Sequence, residues 1–129
     1  MDKTKKQTIL IVEDEKSLCN ALSGKFIHEG FVALVAKNGE EGLKIALSAQ
    51  PDLILLDIVM PVMDGIAMLK KVREDEWGKD AKVIILTNLN DNESLSRALA
   101  LGLKNYIVKS DWKIEDVVAM VREKLANHI

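Results

Sequence analysis

The sequence predicts an α/β domain: a doubly wound, five-stranded parallel sheet built as (βα)5. Two observations carry this. Short, mostly apolar runs recur at residues 9–12, 31–35, 53–56, 83–86 and 105–108 of the 129-residue chain. Lacking a polar alternation, such runs suit strands buried on both faces. The stretches between them repeat apolar residues at helical spacing, and regular alternation of strand with amphipathic helix argues a parallel sheet covered on both sides.

In chain order, the first strand ends in Glu13, Asp14 and Glu15. A helix follows with Leu18, Leu22 and Phe26 on one stripe, stopped by Glu29 and Gly30. Phe31 opens the second strand. Asn38 with Glu41 three residues on makes a capping-box-like start for a helix through about Ala49, its core side carrying Leu43, Ala46 and Leu47. Pro51 and Asp52 break the chain before the third strand, which runs straight into Asp57. Asp64 caps a third helix that turns Ile66, Leu69 and Val72 inward, and Trp77 in the following polar loop is placed over the surface. The fourth strand ends at Thr87 and Asn88. Asp91 or Asn92 starts a fourth helix with Leu95, Ala98 and Leu99 facing the core, ending near Gly102. The fifth strand ends at Lys109, and a last helix beginning near Asp111 presents Ile114, Val117, Val118, Val121 and Leu125.

The bulk numbers fit one domain. Hydrophobic residues make up 48% and charged residues 29% of the chain, ordinary values for a globular protein. A net charge of −2 gives no electrostatic case for direct binding of nucleic acid or an anionic membrane. No apolar run approaches spanning length. Residues 1–7 form a basic leader followed by too short an apolar stretch for a signal peptide, so the domain is assigned to residues 8–127. The single Cys19 excludes an internal disulfide and fits a reducing, cytoplasmic setting. It reads as a packing residue on a helix, as do Met60, Met63 and Met68, while His28 and His128 read as surface residues.

The polar residues after the strands are not scattered. Glu13 and Asp14 follow the first, Asp57 ends the third, Thr87 the fourth and Lys109 the fifth. In a parallel sheet these ends share one edge, and for strand order 2-1-3-4-5 the switch point falls between strands one and three, bringing Asp14 beside Asp57. Converging carboxylates repel one another. Mg²⁺, which keeps several waters and takes one or two carboxylates, would relieve that repulsion, as would the Lys109 ammonium. Carboxylate, cation, hydroxyl and ammonium together suit a phosphoryl group.

With the acidic pair Glu13 and Asp14, the turn Asp57-x-x-Met60-Pro61-x-Met63-Asp64-Gly65, Thr87, Tyr106 and Lys109, the chain resembles a receiver domain of two-component response regulators, of the chemotaxis-receiver kind, over nearly its whole length. The resemblance implies a flavodoxin-like fold and a phosphorylation-controlled switch rather than an enzyme turning over an external substrate. It implies that Asp57 accepts a phosphoryl group from a histidine kinase or histidine phosphotransfer protein. Asp14, Asp57 and the backbone carbonyl of Val59 would ligate Mg²⁺, with Glu13 acting through water. Lys109 and Thr87 would contact phosphoryl oxygens. Thr87 and Tyr106 would pass the change to the face made by the fourth helix, fifth strand and fifth helix, where a downstream effector protein or domain docks and where a homodimer could also form.

Two departures from the family pattern stand out. Ser110 takes the place of the usual proline after the lysine; a non-proline cis bond costs about 2.5–4 kcal/mol, so this link either bears that cost or turns trans. Phosphorylation is expected to survive, with the surface of the fifth helix altered. Asn88 replaces a usually smaller residue, and Val59 and Leu89 are apolar where the hydrolytic water passes in receivers, which predicts slow loss of the phosphoryl group.

The competing reading is a pseudo-receiver, a phosphorylation-independent protein-interaction module, favoured only by Ser110. Small-molecule enzymes on the same fold fare worse. No Ser/Thr/Gly-rich loop suited to a flavin phosphate follows the first strand, neither glycine-rich nucleotide motif is present, and a haloacid-dehalogenase-type phosphatase would need an Asp where Val59 stands.

Overall fold

A computed structural model describes residues 6–58, 60, 62–87, 92–103, 105–108 and 113–126, leaving the side chains of residues 92, 94 and 95 outside the description. Strands β1 (Thr8–Val12), β2 (Val32–Ala36), β3 (Leu53–Asp57), β4 (Val83–Thr87) and β5 (Tyr106–Val108) alternate with helices α1 (Lys16–His28), α2 (Gly39–Ala49), α3 (Gly65–Glu74), α4 (Asn92–Ala100) and α5 (Ile114–Ala126). A short 3₁₀ turn, Gly78–Asp80, precedes β4. The strands form one parallel sheet in the order β2-β1-β3-β4-β5, as expected from the sequence. Among the described residues no helix is long and apolar enough to cross a membrane.

The unalternating strands have a simple cause: both faces of the sheet are covered. Leu10, Val12, Ile54, Leu56, Val83 and Ile85 point to one face and pack with Ala46 of α2, Ile66, Met68, Leu69 and Val72 of α3, and Ala98 of α4. Ile9, Ile11, Leu53, Leu55, Ile84 and Leu86 point to the other, against Cys19, Leu22 and Phe26 of α1 and Val117, Val118, Val121 and Leu125 of α5. Each fully buried aliphatic side chain contributes about 1.5–3 kcal/mol. Cys19, Met60 and Met68 are core residues and His28 is exposed, as expected; His128 lies outside the described residues.

Two helix faces differ from the expected ones. Leu47 and Leu99 are exposed. In α2 the buried residues are Gly39, Gly42 and Ala46, of which Gly42 faces the sheet at Val12. A Cβ on Gly42 would lie only 2.9–3.0 Å from Met68 Sδ and the Val12 methyls, so the smallness of this residue sets the helix close to the sheet and rolls Leu47 outward. Among the described side chains of α4, Ala98 is buried as expected whereas Leu99 is not; the expectation for Leu95 lies outside the described side chains. Trp77 is half-buried against the α2–α3 side rather than laid over the surface. Phe31 precedes β2 instead of opening it, and packs edge-on to Phe26 with ring centroids 5.5 Å apart.

Candidate functional site

The carboxyl ends of β1, β3 and β4 meet where the chain order of the strands reverses, between β1 and β3. Val12 pairs with Leu56, so Glu13 and Asp14 emerge beside Asp57, the last residue of β3. Asp57 in turn pairs with Leu86, which places Thr87 at the next position along β4. Glu13, Asp57 and Thr87 are buried, and they are the polar or charged side chains that the described core contains. Asp14 is exposed at the mouth. One carboxylate oxygen from each of Glu13, Asp14 and Asp57 lies within 4.8 Å of the other two.

Local bonds hold this arrangement. The Glu13 amide donates to Ala36 O at 3.0 Å, its carbonyl accepts from Cys19 Sγ at 2.9 Å, and its Oε2 accepts from the Glu15 amide at 3.1 Å. Cys19 therefore anchors the turn that carries the acidic pair. That contact has no signal in the sequence, because the i, i+6 spacing belongs to no helix motif. Glu15 holds the N-cap position of α1 without a side-chain cap bond.

The loop after Asp57 is clamped at its far end. Asp64 Oδ1 accepts from the Ala67 amide at 2.8 Å and so caps α3, as its position predicts. Gly65 donates to Ile58 O at 3.1 Å, and a Cβ at Gly65 would run into the backbone oxygen of Asp57. Gly39 donates to Met63 O at 2.9 Å, tying the loop to the start of α2, and it too has no room for a Cβ. Between these ties Val62 takes φ = 69°, a rare conformation for a β-branched residue, with its side chain in solvent. The glycines after Asn38 and Asp64 read from sequence as ordinary helix starts; their role in seating the Asp57 loop emerges only from the packing.

Ile85 pairs with Tyr106 and Thr87 with Val108. Side chains alternate along a strand, so Thr87 and Tyr106 belong to the same face of the sheet, the one that α4 covers. Tyr106 is exposed. Lys109 and Val59 lie outside the described residues, as do Pro61, Asn88, Leu89 and Ser110.

Three carboxylates presenting oxygen donors within 4.8 Å suit a hard cation of the Mg²⁺ or Ca²⁺ class and lack the nitrogen and sulfur donors that zinc or copper sites favour. One exposed and two buried acids leave such an ion open to solvent on one side, the coordination habit of Mg²⁺.

Comparison with known proteins agrees with this geometry. The family model for the response regulator receiver domain matches residues 9–122. The chain is 40% identical over 104 residues to the chemotaxis protein CheY of Treponema pallidum, covering 78% of this chain and 71% of that protein. It is 35% identical over 119 residues to the transcriptional regulatory protein PcoR of Escherichia coli, covering 92% of this chain and 51% of PcoR. This chain spans about half the length of the curated relatives it matches first. Among solved structures, the CheY-like receiver domain protein of Methanospirillum hungatei superposes with a TM-score of 0.86 at 27% identity, covering 95% of each chain.

Proposed function

We propose, from the premise that this chain belongs to the response regulator receiver domain family, that it is a signalling switch set by phosphorylation of Asp57. The observation that carries the proposal is the convergence of Glu13, Asp14 and Asp57 at the switch point of the sheet. A carboxylate oxygen of Asp57 would attack the phosphorus of a phosphohistidine on a histidine kinase or phosphotransfer protein. The phosphorus–nitrogen bond breaks, a phosphorus–oxygen bond forms, and the imidazole leaves with the electron pair. Asp57 then carries an acyl phosphate.

Asp14, Asp57 and the backbone carbonyl of Val59 would hold Mg²⁺, with Glu13 acting through water. When bound, the ion supplies charge neutralisation between the acids and the incoming phosphoryl oxygens. Glu13, fixed through its amide, carbonyl and carboxylate, keeps the acidic pair oriented. Thr87 offers its hydroxyl to a phosphoryl oxygen, and Lys109, the residue after β5, offers its ammonium. Movement of Thr87 toward the phosphoryl group would free space on the α4 face of the sheet. Tyr106, on that same face and now exposed, would turn inward to take it. A local charge event would thereby alter the α4–β5–α5 surface and control docking of an effector protein or domain.

Intact mass after incubation with a small-molecule phosphodonor and Mg²⁺ tests this. The wild-type chain gains one phosphoryl group, and the gain disappears in Asp57→Asn and on chelation of the metal. A folded wild-type protein that takes up nothing would instead establish a phosphorylation-independent module.

A further inference from the structure

The edge of the sheet at β2 is unusually bare. β2 is the terminal strand, and its five residues, Val32 to Ala36, include no charge, proline or polar side chain. Natural edge strands are generally blunted by such residues to prevent unwanted pairing. Val32 and Val35 are 40% and 38% exposed, and α1 and α2, the helices that contact β2, carry the exposed Ile27 and Leu47. Clustered exposed apolar residues mark contact surfaces.

Among the described residues, the outward-facing hydrogen-bonding groups of this edge follow from the ladder. Val32 donates to Gln7 O, and Ala36 O accepts from Glu13, so Val32, Leu34 and Ala36 turn their backbone groups toward β1. Ala33 and Val35 turn theirs outward.

We infer that this edge pairs with the β2 edge of a second copy of the chain, antiparallel, about a two-fold axis at Leu34. The strand is nearly the same read in either direction. Placing Leu34 opposite Leu34 sets Ala33 against Val35 twice, and those are the residues with outward N–H and C=O groups. Each such pair exchanges two hydrogen bonds. Every flanking pair matches a large residue with a small one, Val35 with Ala33 and Val32 with Ala36. Charge does not oppose it: Glu29, which precedes the strand, is already paired with Lys25 and Arg122, and the exposed Lys37 follows the strand. The product is a continuous ten-stranded sheet that leaves the Asp57 site and the α4–β5–α5 face uncovered. A strand plus two apolar shoulders lies at the small end of stable interfaces, so the dimer is weak and depends on concentration.

Sedimentation velocity of the full chain across a concentration series tests this, with hydrogen exchange at low and high concentration. The wild type associates reversibly to a dimer. The amides of Ala33 and Val35 gain protection in step with dimer formation, while Val32 and Leu34, already bonded to β1, do not change. Val35→Lys weakens association by about tenfold or more, with unchanged phosphoryl uptake. Val32→Lys, at the other exposed valine of the strand, weakens it likewise, and this variant serves if Val35→Lys fails to fold. A wild type that stays monomeric throughout, or a dimer in which Ala33 and Val35 exchange as fast as in the monomer, overturns the inference.

Discussion

The two ends of the sheet treat charge in opposite ways. At the amino ends of the strands, charged side chains tie backbone to backbone. Asp52 accepts from the Thr8 amide at 2.7 Å, Lys82 donates to Leu125 O at 3.2 Å, and Arg73 donates from one nitrogen to the carbonyls of Gly78 and Ala81 at 2.6 and 2.9 Å. At the carboxyl ends, acids stand beside acids within 4.8 Å. A cleft of about 390 Å³ opens at the amino end, lined in part by Asp52, Trp77 and Lys82, yet two of its charged groups are already committed to the scaffold. Volume is thus a poor guide to chemistry here. Where charges satisfy a chain end or a loop they hold the fold together, and where acids are brought together their oxygens make a donor set suited to a hard cation.

The sharpest way to break this contrast is to disturb the support of the acidic end without touching an acid. Gly65→Ala drives a methyl group into the backbone of Asp57 and should cost about 3 kcal/mol, at the upper end for overpacking. Phosphoryl uptake should fall with it, because the loop seating Asp57 must shift. The same change at Gly24, in the open on α1, should stabilise by about 0.5–1 kcal/mol. Denaturant unfolding of the two variants measures both. Equal effects at the two glycines would remove the steric argument.

Next in size is the response to Mg²⁺. If the clustered acids form a cation site, Mg²⁺ at a hundredfold excess over its dissociation constant should add about 2.7 kcal/mol to stability. Asp57→Asn should abolish most of that gain, since it removes one of the three carboxylate donors. A thermal shift of equal size in both proteins would place the ion elsewhere.

The amino end predicts the converse. Arg73→Met keeps much of the buried aliphatic volume but removes the bonds to Gly78 and Ala81, and should cost about 2 kcal/mol, typical for hydrogen bonds to a charged group. Burial already holds this guanidinium below its ordinary range. Stability should drop while Mg²⁺ response and phosphoryl uptake stay as they were. Loss of phosphoryl uptake in a folded Arg73→Met protein would mean that the two ends are coupled.

The same contrast explains what the sequence made legible. Strands sandwiched between helix layers must be apolar throughout, so the runs announced themselves, and a carboxylate ending such a run at Asp57 could only be exceptional. Given the doubly wound order 2-1-3-4-5, the approach of Glu13 and Asp14 to Asp57 followed. What stayed hidden depends on small residues and on backbone oxygens. Gly42 and Ala46 outrank Leu47 in deciding how α2 faces the sheet, because closeness of approach, not hydrophobicity, sets that contact. The Cys19 hydrogen bond to the Glu13 carbonyl and the two hydrogen bonds of Arg73 to loop carbonyls join groups whose separation along the chain carries no periodicity.

The smallest effect expected lies at Glu29, another tie on the amino-end side. Arg122 donates to its Oε1 at 3.0 Å and to its backbone oxygen at 3.2 Å, joining the end of α1 to α5, and the guanidinium lies 5.1 Å over the Phe31 ring. The Arg122 hydrogen bond, helped by the charges of Lys25, Arg122 and His28 and opposed by partial desolvation, holds the Glu29 carboxyl below its ordinary 4.5. A carboxylate whose folded-state value is depressed adds stability above its unfolded value and loses it as pH falls through the folded one. Glu29→Gln should therefore be slightly less stable than wild type near neutrality, and the two should converge in acid. Exposure and salt keep the difference small. Denaturant midpoints from pH 7 downward, taken at high dilution, follow the convergence. A gap that widened toward acid would mean that Glu29 is held protonated, reversing the sign of its contribution.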